Sequence, residues 1–439
     1  MRIVIIGNSA TAVGAIESIR EHDQSAEITV ISDEGPMIYS RPMLSHYLAG
    51  EIDRARLAYR PSDFWTRHNV AVIADDAVVS IDPVGHSVET NSGRVIGYDR
   101  LLIATGGQPI VPPLPGLDLD GVFTFTRQGD ATQLSRFLEG VNSPRALVVG
   151  GGMIGIKATD SLWKRGAHVT MVELAPMILA AALDGPASEM VCRLLRENGV
   201  DVRTENTVTE IHGEDGRVRY ATLKDASTVE CDVVVFGIGV RPNSGLANAA
   251  GLKVNRGICV DEFMRSSNPH IYAAGDVAEA YDLVVDMNRT VAIWPNAYRQ
   301  GAIAGAHMVG IERPDPGGVA MNTVEVMGVP AMSIGNGNAP EEGHDVLVRL
   351  DESANVYRRL VLREGRLVGA ILVGEIDRAG IYTGLIRNRI DVGQQRQRLL
   401  DGHMSLLSTP EQYRKHVVRG AGIEVSSAVW SRRPPITWE

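Results

Sequence analysis

Residues 146–173 constrain this chain more than any other stretch. A short apolar run, Ala146–Val149, precedes Gly150, Gly152 and Gly155 in the spacing G-x-G-x-x-G. A helical pattern follows to Arg165, with Gly166 at its C-cap, and then a second apolar run, His168–Val172, ends on Glu173. Strand, glycine turn, helix and strand in that order make a βαβ unit of a parallel sheet. The glycines permit a tight turn and bring backbone N–H groups close to a pyrophosphate at the helix N-terminus. Glu173 is placed to accept hydrogen bonds from both hydroxyls of an adenosine ribose. No Arg or Lys occurs in the next dozen residues to hold a 2′-phosphate. The unit predicts a site for NAD(H) rather than NADP(H), built on Gly150, Gly152, Ile154, Gly155 and Glu173.

The N-terminal stretch repeats the pattern. Ile3–Ile6 reads as a strand, Gly7-Asn8-Ser9-Ala10-Thr11-Ala12 as a turn, Val13–Arg20 as a helix, Ile28–Ile31 as the next strand, with Asp33-Glu34 after it. Ser9 holds the second glycine's place and Ala12 the third's. Ser9 is small and carries a hydroxyl that can donate to a phosphate, and Ala12 still permits close helix–strand contact. Two such units in 439 residues imply two or three domains. The net charge of −10 is spread along the chain and argues against nucleic-acid binding. The chain opens on a strand, not a signal peptide, and no apolar run reaches membrane-spanning length. Cys192, Cys231 and Cys259 are far apart, which fits a reducing cytoplasm and offers neither a C-x-x-C nor a metal or cluster motif.

Three further stretches lie around these units. Ile38-Tyr39-Ser40-Arg41-Pro42-Met43-Leu44-Ser45 follows the second strand. Tyr98–Pro109 is a strand running into Ala104-Thr105-Gly106, and Asn268–Asp276 is a strand ending in Gly275-Asp276. Together the five stretches, over roughly residues 1–400, resemble the FAD-dependent pyridine nucleotide-disulfide oxidoreductases. Within that superfamily Tyr-x-Arg-Pro-x-Leu-Ser looks like the rubredoxin- and ferredoxin-reductase branch and the flavin portion of nitrite reductases. The resemblance implies an α/β fold: two nested Rossmann-like dinucleotide-binding domains, for FAD and NAD, plus a C-terminal α+β domain. The expected divisions are 1–110 with 245–318 for FAD, 111–244 for NAD(H), 319–410 for the C-terminal domain, and a tail at 411–439.

By the same resemblance Gly7, Ser9, Ala10 and Ala12 face the FAD pyrophosphate, with Glu34, or else Asp33, at the adenosine ribose. Arg41 and Pro42 lie toward the flavin, Ala104, Thr105 and Gly106 border the adenine half, and Arg127 is a flavin-side contact. Gly275 and Asp276 meet the ribityl chain. An Asp after a strand also serves as a helix N-cap, so Asp276 has two readings. Gly239 belongs to the return strand of the NAD domain. Trp294 leads the helix beside the isoalloxazine, where packing alone also accounts for a Trp.

The chain departs from these relatives at two sites. His46 stands where the ferredoxin-reductase type often has Lys. Lys157 stands where many relatives have Glu, either as a cation moved to the other side of the flavin, with Asp160 as its partner, or as a solvated helix residue. Neither the C-x4-C of the disulfide reductases nor the single cysteine of a sister branch is present, so no thiolate relay is expected.

The implied function is electron exchange between NAD(H) and an iron–sulfur, ferredoxin-like partner through FAD, with no protein-bound metal. The stretches Ile-Gly-Ile-Lys and Gly-Ile-Tyr-Thr-Gly-Leu-Ile are similar to NAD-reductase subunits of anaerobic 2-oxoacid oxidoreductases such as phenylglyoxylate dehydrogenase. This implies a hetero-oligomeric complex, a homodimer being the other arrangement. Alternatives are a stand-alone NADH-dependent ferredoxin or rubredoxin reductase, an NADH oxidase, and a scaffold with structural FAD. After Met321 short strands are expected at Thr323–Val326, Val346–Leu350, Val356–Arg363 and Arg366–Leu372. Gly369–Leu385 is expected to run through a helix start to Ile390. Trp430, Trp438, Arg432 and Arg433 make the tail either a docking segment or a disordered end.

Overall fold

The computed structural model of the chain describes residues 1–403; the expectations for the 411–439 tail lie outside them. Near-continuous Ile, Val and Leu runs, buried on both faces, form two five-stranded parallel sheets. The first runs Ile271–Ala273, Arg100–Ile103, Arg2–Ile6, Glu27–Ile31, Val70–Ile73. The second runs Val122–Thr124, Val233–Phe236, Arg145–Val149, His168–Val172, Asp201–Arg203. Read in these orders the last four strands match in chain order, while the first differs: Ile271–Ala273 is the last strand of its sheet in sequence and Val122–Thr124 the first of its own. The central strand of each feeds a glycine turn, and its neighbour follows the crossover helix. All strands of the second sheet fall between Ile103 and Ile271, so one unit is inserted into the other. The antiparallel pair Gly107–Pro109 and Val240–Pro242 joins the two chain crossings.

The first crossover helix, Ala10–His22, starts three residues before the expected Val13, because Ser9 is already extended and stands as its N-cap. It lies against the Trp294–Met308 helix with backbone nearly touching backbone. A Cβ at Gly14 would stand 2.1 Å from the Tyr298 carbonyl oxygen, and one at Gly301 only 2.0 Å from that of Thr11. Glycine is required at both, and the contact brings the two helix N-termini to the same place.

Five antiparallel strands form the C-terminal sheet, in the order Met321–Val326, Val329–Gly335, Arg366–Val373, Val356–Arg363, Asp345–Asp351. The Ala379–Arg387 helix buries Tyr382, Leu385 and Ile386 against it. The Val329–Gly335 strand is not among the expected ones, and its Pro330 is a residue that central strands rarely hold. Here the ladder to Arg366–Val373 begins only at Ala331, so Pro330 removes no bond from it. Among the described residues no helix is long and apolar enough to cross a membrane.

Candidate functional site

The two helix N-termini open into a cavity of about 480 Å³ at the C-terminal ends of the Arg2–Ile6 and Glu27–Ile31 strands. Gly7 makes the turn possible: its φ is +109°, and a Cβ there would stand 2.3 Å from the Ala104 carbonyl oxygen. Gly7, Ser9 and Ala10 line the wall at the Ala10–His22 helix, and Ala104, Thr105 and Gly106 line the neighbouring strand end. Glu34, Arg41, Pro42, Arg127, Asp276 and Trp294 also line it, as do Ile154 and Lys157 from the helix of the second unit. Thirteen expected cofactor residues and Lys157 therefore converge here, from stretches more than 250 positions apart.

The remaining expected residues lie elsewhere. Ala12 is fully buried in the helix packing and does not reach the cavity. Gly275 lies behind the wall, with φ +81° and its N–H donating to Gln300 Oε1 at 2.9 Å; a Cβ there would meet Thr11 Oγ1 at 2.3 Å. Its glycine is needed for this close approach, which carries Asp276 into the cavity. His46 does not line the cavity: its Nδ1 is 2.5 Å from Glu51 Oε2, and the side chain is half-exposed. Asp160 is not the partner of Lys157. It pairs instead with Lys164 at 3.0 Å, and Lys164 also holds Glu51 at 2.8 Å. The i+4 partner has taken the acid expected for the i−3 one.

The cavity holds two ion pairs that the sequence does not announce. Arg41 Nη2 lies 3.0 Å from Glu34 Oε1, and Arg127 Nη1 lies 2.7 Å from Asp33 Oδ2. Glu34 also accepts a 2.7 Å hydrogen bond from the Tyr39 hydroxyl. The Gly7 N–H donates to the Ile31 carbonyl as that of Gly150 does to Val172, both at 2.8 Å. By that register Ser32, not Glu34, occupies the place of Glu173. Asn8, Ser32, Asn243 and Ala292 line the cavity and were not anticipated. Asn243 lies within the return-strand motif, and only the pairing of Val240–Pro242 with Gly107–Pro109 brings it back to the first unit.

Asp276 is the most exceptional side chain here. It enters at the start of a single 3₁₀ turn, Gly275–Val277, and caps nothing. Among the described residues its carboxylate has neither hydrogen bond nor ion pair. Burial raises its pKa above the usual carboxylate range, with Arg41 pulling weakly the other way.

The second glycine turn stands at the N-terminus of the Met153–Lys164 helix, which also supplies Ile154 and Lys157 to the cavity. Gly150 has φ +109°, Gly152 is the N-cap of the Met153–Lys164 helix, and a Cβ on Gly155 would stand 1.8 Å from the Gly150 carbonyl oxygen. Glu173 accepts hydrogen bonds from the N–H groups of Gly151 at 2.6 Å and Ala175 at 2.7 Å. A carboxylate has about four acceptor positions, so room remains for two hydroxyls. Gly239, φ +114°, faces open space beside this turn.

A family profile described as pyridine nucleotide-disulphide oxidoreductase matches residues 1–301. The chain belongs to this family. A second profile, the rubredoxin NAD+ reductase C-terminal domain, matches residues 321–390. The nitrite reductase [NAD(P)H] of Bacillus subtilis is 32% identical over 399 residues, 90% of this chain but 48% of that protein. The chain thus spans about half the length of that relative. The epsilon subunit of NADH-dependent phenylglyoxylate dehydrogenase from Aromatoleum evansii is 30% identical over 406 residues, 91% of this chain and 94% of the subunit. Among solved structures, the reductase of the covalent putidaredoxin reductase–putidaredoxin complex superposes with a TM-score of 0.83 at 26% identity, covering 91% of this chain and 98% of that one.

Members of this pyridine nucleotide-disulphide oxidoreductase family are FAD- and NAD(H)-binding reductases, and the residues of this chain fit both groups. An unpartnered carboxylate, raised in pKa by burial inside the cavity, is what a polyhydroxyl chain would satisfy. The helix N-terminus beside Gly7 suits a pyrophosphate. The family's redox disulfide has no counterpart here. Cys192, Cys231 and Cys259 are free and none lines the cavity. Burial pushes the Cys231 thiol up to about 12 and raises the other two as well, away from the reactive thiolate form.

Proposed function

We propose that the chain is the NAD(H)-linked flavoprotein module of an electron-transfer system, exchanging electrons with an iron–sulfur protein or subunit, and working in the reducing cytoplasm. The observation that carries this reading is the shared helix Met153–Lys164. Its N-terminus forms the NAD turn at Gly152, while Ile154 and Lys157 on the same helix line the FAD cavity. Two dinucleotide sites back to back on one helix bring a nicotinamide and a flavin together without a relay group between them.

In this reading Gly7, Ser9 and Ala10 hold the FAD pyrophosphate, and Arg41 and Arg127, each paired with an acid, lie along the cofactor toward the flavin. Asp276 accepts from the ribityl hydroxyls, and Pro42, Ile154 and Trp294 exclude water around the ring. Glu173 binds the NAD ribose and rejects a 2′-phosphate, because it offers only acceptors and negative charge. FAD supplies the chemistry when bound: two-electron exchange with the nicotinamide and single-electron exchange with a metal centre. No side chain acts as nucleophile. The described cysteines are separate and mostly buried, so the cluster belongs to the partner. The near-complete coverage of the phenylglyoxylate dehydrogenase subunit favours membership of a hetero-oligomer over a free reductase or a homodimer.

Isolation of the native chain from its own cells tests this directly. Iron, acid-labile sulfide and a second polypeptide are expected to co-purify with it. A chain that purifies alone and consumes O₂ with NADH rapidly would support the oxidase reading instead.

A further inference from the structure

Three cations line the cavity, and two of them are already neutralised: Arg41 by Glu34 and Arg127 by Asp33. The ammonium of the third, Lys157, makes no hydrogen bond or ion pair among the described residues. The acid one turn away, Asp160, is occupied by Lys164, which also holds Glu51, which in turn holds His46. Asp160 and, more weakly, Glu325 on the Met321–Val326 strand attract Lys157 without a hydrogen bond or ion pair to it, and Lys164 repels it. The residue is part-buried, and desolvation pulls its pKa down.

An ammonium in this position is costly, because burying a charge without a direct partner is unfavourable. The i+4 bridge of Lys164 to Asp160 leaves Lys157 only the longer-range attraction of that acid. A charge held this way, on a cavity wall and on the helix that begins at the NAD turn, is arranged for an anion that arrives with the cofactor.

We propose that Lys157 is the positioning cation of the reduced flavin: it faces the isoalloxazine of bound FAD and stabilises the negative charge which that ring gains on reduction. Uptake of two electrons and one proton from NADH releases NAD+ and leaves one net negative charge on the ring. An unpaired ammonium in a water-poor cavity attracts that charge more strongly than the two guanidinium groups whose charge is already balanced. Lys157 thereby sets the flavin potential higher than the fold alone would. His46, held by Glu51 outside the cavity, has no part in this. The inference rests on the reading that FAD occupies the cavity.

The test is an anaerobic, dye-referenced redox titration of the FAD-loaded protein as wild type, Lys157→Met and Lys157→Arg. Removing the charge is expected to shift the oxidised-to-reduced ratio at a given potential at least tenfold toward oxidised, a midpoint lower by about 30 mV or more for two electrons. Arg, which keeps the charge, is expected to stay near wild type. An unmoved midpoint in a Met variant that holds FAD overturns the proposal, and so does an Arg variant that falls as far as Met, since that marks a packing role. If Met prevents folding, Lys157→Gln removes the charge at similar length and is titrated in its place. A wild-type protein that takes up no FAD sinks the reading of the cavity itself. FAD uptake and reduction by NADH with an unmoved midpoint sinks this inference alone.

Discussion

Asn at position 276 should move the apoprotein and the FAD complex in opposite directions. In the apoprotein the part-buried Asp276 carboxylate has no partner among the described residues, and desolvation in the cavity wall raises its pKa. An ionised group left unpaired costs about 1–3 kcal/mol or more, so the neutral, isosteric Asp276→Asn should raise the apoprotein's thermal midpoint at neutral pH. The pH dependence has a definite sign. With the folded pKa above the unfolded value, the folded state binds more protons between the two. Wild-type stability is therefore highest below the unfolded pKa and is lost as pH rises through the folded one. The advantage of Asn should thus be greatest near neutrality and vanish in mild acid, where wild type carries a proton. With FAD bound, the carboxylate instead accepts from ribityl hydroxyls. Its loss removes a charge-assisted hydrogen bond worth about 1.5–3 kcal/mol, a weakening of roughly ten- to a hundredfold in Kd. The assays are calorimetry of apoprotein across pH and fluorescence titration with FAD. An Asn variant that binds FAD as tightly as wild type, with an unchanged apoprotein midpoint, would refute the assignment.

Further outcomes follow from the same geometry. Glu173→Ala should raise the KM for NADH at least about tenfold and narrow the preference over NADPH in a steady-state dye assay; a wild type equally active with NADPH contradicts the role given to Glu173. Replacing Cys192, Cys231 and Cys259 together by Ala should leave NADH–dye activity intact. A variant still reduced by NADH but unable to pass electrons on would reveal a thiol relay. Gly301→Ala places a Cβ 2.0 Å from the Thr11 carbonyl oxygen. It should cost about 1–3 kcal/mol by forcing the helices apart, and FAD should be lost on gel filtration; unchanged melting and full retention of flavin would show that the helix pair yields freely.

The two βαβ units were legible because local signals agree there: glycine spacing, apolar runs and a terminal acid all fall within about thirty residues. The His168–Val172 and Val356–Arg363 strands are found where the pattern places them. What sequence could not supply was the pairing of side chains that compete for one partner. Asp160 sits between lysines at i−3 and i+4, and spacing alone does not say which wins. Glu34 looked like the counterpart of Glu173, but the strands end at different points relative to their acids, and only the backbone register shows Ser32 in that place. His46 was drawn in by motif position, and Glu51, five residues on, draws it out.

The most direct test of the account is a two-step anaerobic mixing experiment on the purified FAD-loaded protein. Stoichiometric NADH is expected to bleach the visible flavin absorption, and an oxidised ferredoxin added next is expected to restore it while its own iron–sulfur spectrum is reduced. A flavin that NADH does not bleach, or one that bleaches and is then left unoxidised by any iron–sulfur protein, would contradict it.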